Sequence, residues 1–194
     1  MLSLKKWLLP AIFLLPVSAL AVEHGQKAIS ITVNNDFVQK EFGSTCKLMP
    51  GPIPQVADFD GDGIPDIVIV ARCTNPLMDQ DQYGFSVVDP YYTFFGYGNP
   101  KITTRFASDD PETRGLVLLI IHGAGPEGWR SPTPKAKFVI INLPFKEISV
   151  KKLEVKKKMV MAIYADETGP DETVSATFWD GKKYRYQPLG SSLQ

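Results

Sequence analysis

Residues 58–66 read Asp58-Phe59-Asp60-Gly61-Asp62-Gly63-Ile64-Pro65-Asp66. Four carboxylates fall on nine residues, at positions 1, 3, 5 and 9 of the stretch. Side by side such charges repel, and a bound cation reverses the sign of that interaction. Calcium takes about six to eight oxygens at roughly 2.3–2.6 Å, and a looping backbone supplies them from alternate positions. On this reading Asp58, Asp60, Asp62 and Asp66 give side-chain oxygens, and Ile64 gives its carbonyl at position 7. Gly61 and Gly63 admit the positive φ angles that so tight a wrap requires. The alternative is an Asp/Gly-rich surface turn without a metal.

The flanks decide which kind of loop this is. A helix–loop–helix calcium site closes with a bidentate Glu at position 12, but that position is Ile69. Ile53-Pro-Gln-Val-Ala57 and Ile67-Val-Ile-Val-Ala71 are short and β-branched, which predicts a strand on either side. From Val56 to Val70 the chain resembles the calcium loop of FG-GAP (integrin-α-like, VCBS-type) repeats, an Asp-rich turn inside a propeller blade. The Gly-Ala-Pro that ends such a repeat is replaced by Ala71-Arg72-Cys73, and a leading Phe-Gly exists only as Phe42-Gly43. The resemblance implies a calcium-braced β-hairpin in which the ion is structural.

Residues 1–21 read as a signal peptide. Lys5 and Lys6 form a positive start, Trp7 to Val17 an apolar core, and Ala19-Leu20-Ala21 a small-x-small cleavage site. The apolar run is shorter than the ~20 residues that span a bilayer, so no stable membrane anchor is expected. The exported product, secreted or periplasmic, then begins near Val22. Removing residues 1–21 from the 194 leaves about 173, the size of a single domain with a real core. The formal charge goes from 0 to about −2 when Lys5 and Lys6 are lost, which predicts no nucleic-acid partner. Cys46 and Cys73 are the only cysteines, and in an oxidising compartment they are expected to form a disulfide. The Asp-rich loop would then lie inside the covalent ring. Closing a ring of this length is worth ~3 kcal/mol in the chain-entropy model.

Beyond the loop the pattern is mostly that of strands. Ala28 to Val33 alternates, and Asn35-Asp36 is placed to cap a short helix that runs through Phe42 and stops at Gly43. Gly115–Ile121 and Lys137–Leu143 are continuous apolar runs, expected as buried strands. Met159–Tyr164 and Thr173–Trp179 follow, the latter joined to Lys182–Tyr186 through Asp180-Gly181, read as a two-residue hairpin turn. Across it, Phe178/Trp179 and Tyr184/Tyr186 are expected to pair. The lysines at 146, 151, 152, 156, 157 and 158, interleaved with Glu147 and Glu154, suggest a hairpin edge defended against aggregation. No segment sustains a 3.6-residue period. The expectation is a mainly β fold with little helix: an antiparallel meander, propeller-blade-like or built as a two-sheet sandwich, with residues 22–194 as one β-rich domain.

Two other functional readings compete with a calcium module. Val117-Leu-Leu-Ile-Ile-His122-Gly123-Ala124-Gly125-Pro126 resembles the strand and His-Gly-x-Gly turn that supplies an oxyanion-hole N–H in α/β-hydrolases. The chain has no Gly-x-Ser-x-Gly, and its only histidines are His24 and His122. The acidic clusters Asp109-Asp110-Pro-Glu112 and Asp166-Glu167…Asp171-Glu172 offer paired carboxylates for glycoside hydrolysis, or else cap surface turns. The third reading is a glycan or protein binder using the aromatic stretch from Phe85 through Tyr91, Tyr92, Phe94 and Phe95 to Tyr97. The expectation from sequence is an exported non-catalytic calcium-binding β module, structural or recognition in role, with an unknown protein or glycan partner.

Overall fold

A computed structural model of the chain describes residues 32–96, 106, 110–168 and 173–191. The expected signal peptide at 1–21 and most of the expected strand at 28–33 lie outside the described residues; Thr32 and Val33 are irregular. The elements in order are α1 (Asn35–Phe42), β1 (Cys46–Leu48), β2 (Gln55–Ala57), β3 (Asp66–Cys73), α2 (Pro76–Tyr83), β4 (Ser86–Val88), α3 (Pro90–Phe95), β5 (Leu116–His122), a 3-10 turn (Gly125–Arg130), β6 (Ala136–Ile140), β7 (Phe145–Val155), β8 (Lys158–Glu167), β9 (Thr173–Trp179) and β10 (Tyr184–Ser191). The fold is mainly β, with two sheets. The first has the order β1-β3-β5-β6-β4, with β2 paired to β3 beside β1; the second is an antiparallel meander, β10-β9-β8-β7.

Both apolar runs become central strands. Every residue of β5 is buried, and so is every residue of β3 except Arg72. Side chains on a strand alternate between faces, so the two strands need cover on both sides. Ile67, Ile69, Ala71, Val117, Leu119, Ile121 and Val139 pack with Val38 and Phe42 of α1, with Phe85 and with Trp129. Their neighbours Val68, Val70, Leu118, Ile120 and Ile140 pack with Ile148, Ile163, Ala165, Tyr184 and Tyr186 of the meander. The result is three layers: helical segments, the larger sheet and the meander.

The helix expected at 35–42 forms. Its cap is one residue earlier than the Asn35-Asp36 reading: Asn34 Oδ1 accepts from the Phe37 N–H at 2.8 Å, and Gly43 ends it. Helices α2 and α3 were not anticipated. Both start on a proline and are only 8 and 6 residues long, too short to display a helical period. The parallel pairing of β4 with β6 was equally unforeseen.

The Asp180-Gly181 turn also differs from expectation. The ladder closes at Trp179 opposite Tyr184, leaving residues 180–183 in the loop. Asp180 Oδ1 accepts the N–H groups of Lys182 and Lys183, each at 2.9 Å, which stabilises the longer loop. Trp179 and Tyr184 meet as expected, with ring centroids 5.3 Å apart. Phe178 instead faces Arg185 across the ladder and packs with Leu153, Ala162 and Ala176. The lysine-rich strand β7 is indeed a sheet edge.

Cys46 and Cys73 form a disulfide between paired positions of β1 and β3. The acidic loop lies within the ring but at the other end of β3, ~23 Å away along the strand. Covalent bond and loop therefore hold opposite ends of one strand. Among the described residues no helix is long and apolar enough to cross a membrane.

Candidate metal centre

Three antiparallel neighbours deliver the site to one end of the larger sheet. Strand β3 begins at Asp66, β5 ends at His122, and β6 begins just after Lys135. The register pairs Ile67 with Ile121 and His122 with Ala136, so Asp66, Gly123 and Lys135 arrive together. The loop Asp58–Pro65 folds back over this corner between β2 and β3.

Within the loop the carboxylates curl the backbone around themselves. Each N–H from Phe59 to Ile64 donates to one of them. Phe59 donates to Asp66 Oδ2 at 2.7 Å and Asp60 to the same oxygen at 3.4 Å. Gly61 and Asp62 donate to Asp58 Oδ1 at 2.8 and 3.1 Å, and Gly63 to Asp58 Oδ2 at 2.9 Å. Asp62 also donates to Asp60 Oδ1, and Ile64 to Asp62 Oδ1 at 2.8 Å. Gly61 and Gly63 have φ of 78° and 83°, the left-handed backbone that glycine adopts without a Cβ penalty.

Of the five residues expected as ligands, Asp58, Asp60 and Asp66 come together, each offering an oxygen within 4.8 Å of the others. This cluster can hold a metal ion. Asp62 is not one of the three; its Oδ2 lies 2.8 Å from Lys135 Nζ, which also contacts Asp60. Ile64 joins the same network through its N–H, which donates to Asp62 Oδ1. The three clustered side chains are all-oxygen donors, and each carboxylate oxygen has two lone pairs, so an N–H bond does not preclude ligation. Such a donor set suits hard cations.

Asp66 anchors the arrangement. It is 1% exposed, and its Oδ1 accepts the Gly123 N–H at 2.7 Å. Burial pushes its carboxyl up to about 6, against the lowering pull of the N–H groups of Gly123 and Phe59. The chain reaches this contact only because residue 123 is glycine: a Cβ there would meet the Pro65 carbonyl oxygen and the backbone of Gly128 and Trp129. The Trp129 N–H closes the corner by donating to the Pro65 carbonyl at 2.8 Å.

Lys135 supplies the positive charge. Its Nζ stands 2.6 Å from Asp60 Oδ2 and 2.8 Å from Asp62 Oδ2. Those two hydrogen bonds raise its pKa above the ordinary lysine range, and they hold Asp62 below the ordinary carboxylate range. His122 lies behind Asp60. It is 1% exposed, with Nδ1 3.5 Å from Asp60 Oδ2 and Nε2 2.6 Å from the Tyr184 hydroxyl. Burial lowers the pKa of His122 and raises that of Tyr184, so both are neutral near pH 7. Phe138, Trp179 and Tyr184 ring the imidazole at centroid distances of 5.1, 5.2 and 5.8 Å.

The other candidate residues fall elsewhere. The Gly123 N–H, which an oxyanion hole would need, is committed to Asp66. Asp110 caps an exposed turn by accepting the Glu112 N–H, while Asp109, Asp171 and Glu172 lie outside the described residues. Glu167 does not cap a surface turn: it is buried and accepts from the Tyr186 hydroxyl at 2.7 Å. In the aromatic stretch Phe85 is core, whereas Phe94 and Phe95 of α3 are exposed and their rings adjoin Tyr186. Tyr97 lies outside the described residues.

Sequence reading missed Lys135 and Tyr184, and it saw Gly123 for a different reason. No local signal marks Lys135, which is 75 residues from Asp60. The chain was compared with protein-family models, with curated proteins and with solved structures, and none matches it.

Proposed function

We propose that this chain is an exported, non-catalytic β module that binds calcium through the 58–66 loop and plays a structural or recognition role. The observation that carries the reading is the convergence of Asp58, Asp60 and Asp66 at the mouth of the larger sheet. Calcium is the favoured ion because it tolerates irregular oxygen geometry, whereas magnesium demands a near-ideal octahedron. In the metal-bound loop, Asp62 and the Ile64 carbonyl complete the set that the 1-3-5-7-9 spacing describes. The likeness of residues 56–70 to an FG-GAP calcium loop supports the same reading. Export is supported by the charged, apolar and small-residue order of residues 1–21 and by the disulfide, which belongs to oxidising compartments.

The ion would clamp the loop to the start of β3, where Asp66 also holds the Gly123 N–H just past β5, and the disulfide clamps the other end of β3. A hydrolytic role for the His122-Gly123 turn is disfavoured, since Asp66 occupies its N–H and the imidazole is buried. The test is calorimetric titration of the chain with calcium, magnesium as comparator, alongside thermal melting. At calcium one hundred times Kd the fold should gain about 2.7 kcal/mol. No binding heat and no change in melting temperature at millimolar calcium would defeat the proposal.

A further inference from the structure

The loop already contains a cation of its own. Lys135 Nζ bridges Asp60 and Asp62, two of the carboxylates the calcium reading needs. Asp60 is almost wholly enclosed, its side chain 3% exposed, while the Lys135 side chain is 51% exposed. The carboxylate is thus fixed in the site, and the ammonium reaches it on a stem that lies open to solvent. A divalent ion on Asp60 would sit ~2.4 Å from its oxygen. It would therefore come within about 5 Å of the ammonium, and like charges at that range in partly desolvated surroundings repel strongly. Both cations also want the Asp62 carboxylate.

Resting on the calcium reading, we propose that Lys135 is a tethered counter-cation that competes with the metal for Asp60 and Asp62, so that metal binding swings its ammonium out of the loop. The site then has two states, each with a cation against Asp60. In the metal-free state Lys135 spares the fold the repulsion of the acidic cluster. In the metal-bound state Asp62 is released to ligate, and the affinity is set by the difference between the two cations. His122 also faces Asp60 Oδ2, its Nδ1 3.5 Å away, but its imidazole is buried and its Nε2 is engaged by the Tyr184 hydroxyl, so it is fixed in place where Lys135 is free to swing.

The experiment compares the whole chain with Lys135→Met, which keeps the apolar stem and removes the charge. Lys135→Gln stands in should the methionine variant fail to fold, and Lys135→Arg serves as the charge-preserving control. Calcium affinity is measured by calorimetry, and melting temperature in chelator is measured alongside. The uncharged variant should bind calcium at least about tenfold more tightly than wild type and melt at a lower temperature in chelator. Lys135→Arg should stay close to wild type in both. Binding by the variant where wild type shows none would be the extreme form of the same result. Equal or weaker affinity in the uncharged variant would overturn the competition and leave the calcium reading standing. Failure of both proteins to bind would remove the calcium reading and the competition together, making Lys135 the permanent counter-ion of the loop.

Discussion

The 58–66 loop and the β7–β8 turn solve the same backbone problem with opposite resources. Each turns through two left-handed residues. In the loop these are Gly61 and Gly63, with φ of 78° and 83°; in the turn they are Lys156 and Lys157, with φ of 49° and 67°. The loop has glycine at its bends and a carboxylate for each N–H from Phe59 to Ile64. Its shape follows from its own chemistry. The turn has neither glycine nor asparagine, although two-residue hairpins favour them. Its shape is imposed by the ladder of β7 on β8, which runs from Phe145 opposite Glu167 to Val155 opposite Lys158. Strain persists where surrounding structure over-determines it. The lesson is that one bend is specified locally and the other by long-range pairing.

The sharpest way to break that contrast is at Asp66. Asp66→Ala removes the acceptor for two buried N–H groups, those of Phe59 and Gly123. Leaving both unsatisfied should cost about 3 kcal/mol in chelator, read by urea denaturation, and should abolish any response to calcium. A variant as stable as wild type would mean that the loop does not depend on its own carboxylates.

A smaller effect is expected from pH. Asp66 titrates at about 6 in the fold, above its ordinary 3.8. In chelator, its contribution to stability is therefore fully present below about pH 4 and is lost as pH rises through about 6. Calcium requires the ionised carboxylate, so affinity should run the other way, falling about tenfold for each pH unit below 6, or ~1.4 kcal/mol per unit. Calorimetric titrations between pH 5 and 8 measure this; a flat affinity across that range would remove Asp66 from the ligand set.

The smallest effect belongs to the lysine turn. Lys157→Gly relieves one left-handed position and should stabilise the protein by about 1 kcal/mol, seen as a higher denaturant midpoint. Unchanged or lower stability would show that the ladder carries no strain there, and the contrast with the glycine-built loop would lapse.

Legibility followed the same division. The apolar runs at 115–121 and 137–143 led directly to β5 and β6, Thr173–Trp179 is β9, and the polar ends of α1 marked it within one residue. The acidic loop was legible because its spacing is its chemistry. The short helices α2 and α3 were hidden, since 8 and 6 residues cannot establish a period. The hydrolase-like turn at His122-Gly123 was visible, but its partner was not: its N–H meets a carboxylate 57 residues away. The pairing of β3 with β5 makes that contact.

What the sequence determined alone is the alternation that made strands, the glycines that let the acidic loop wrap, and the pair of cysteines. Those properties depend on φ, on side-chain direction and on charge over a few residues. Only the tertiary structure decided that Asp66, Gly123, His122, Lys135 and Tyr184 share one corner, and that the disulfide holds the far end of β3. Neighbours across a sheet are fixed by register, and register is settled by the packing of two sheets and a helical layer at once.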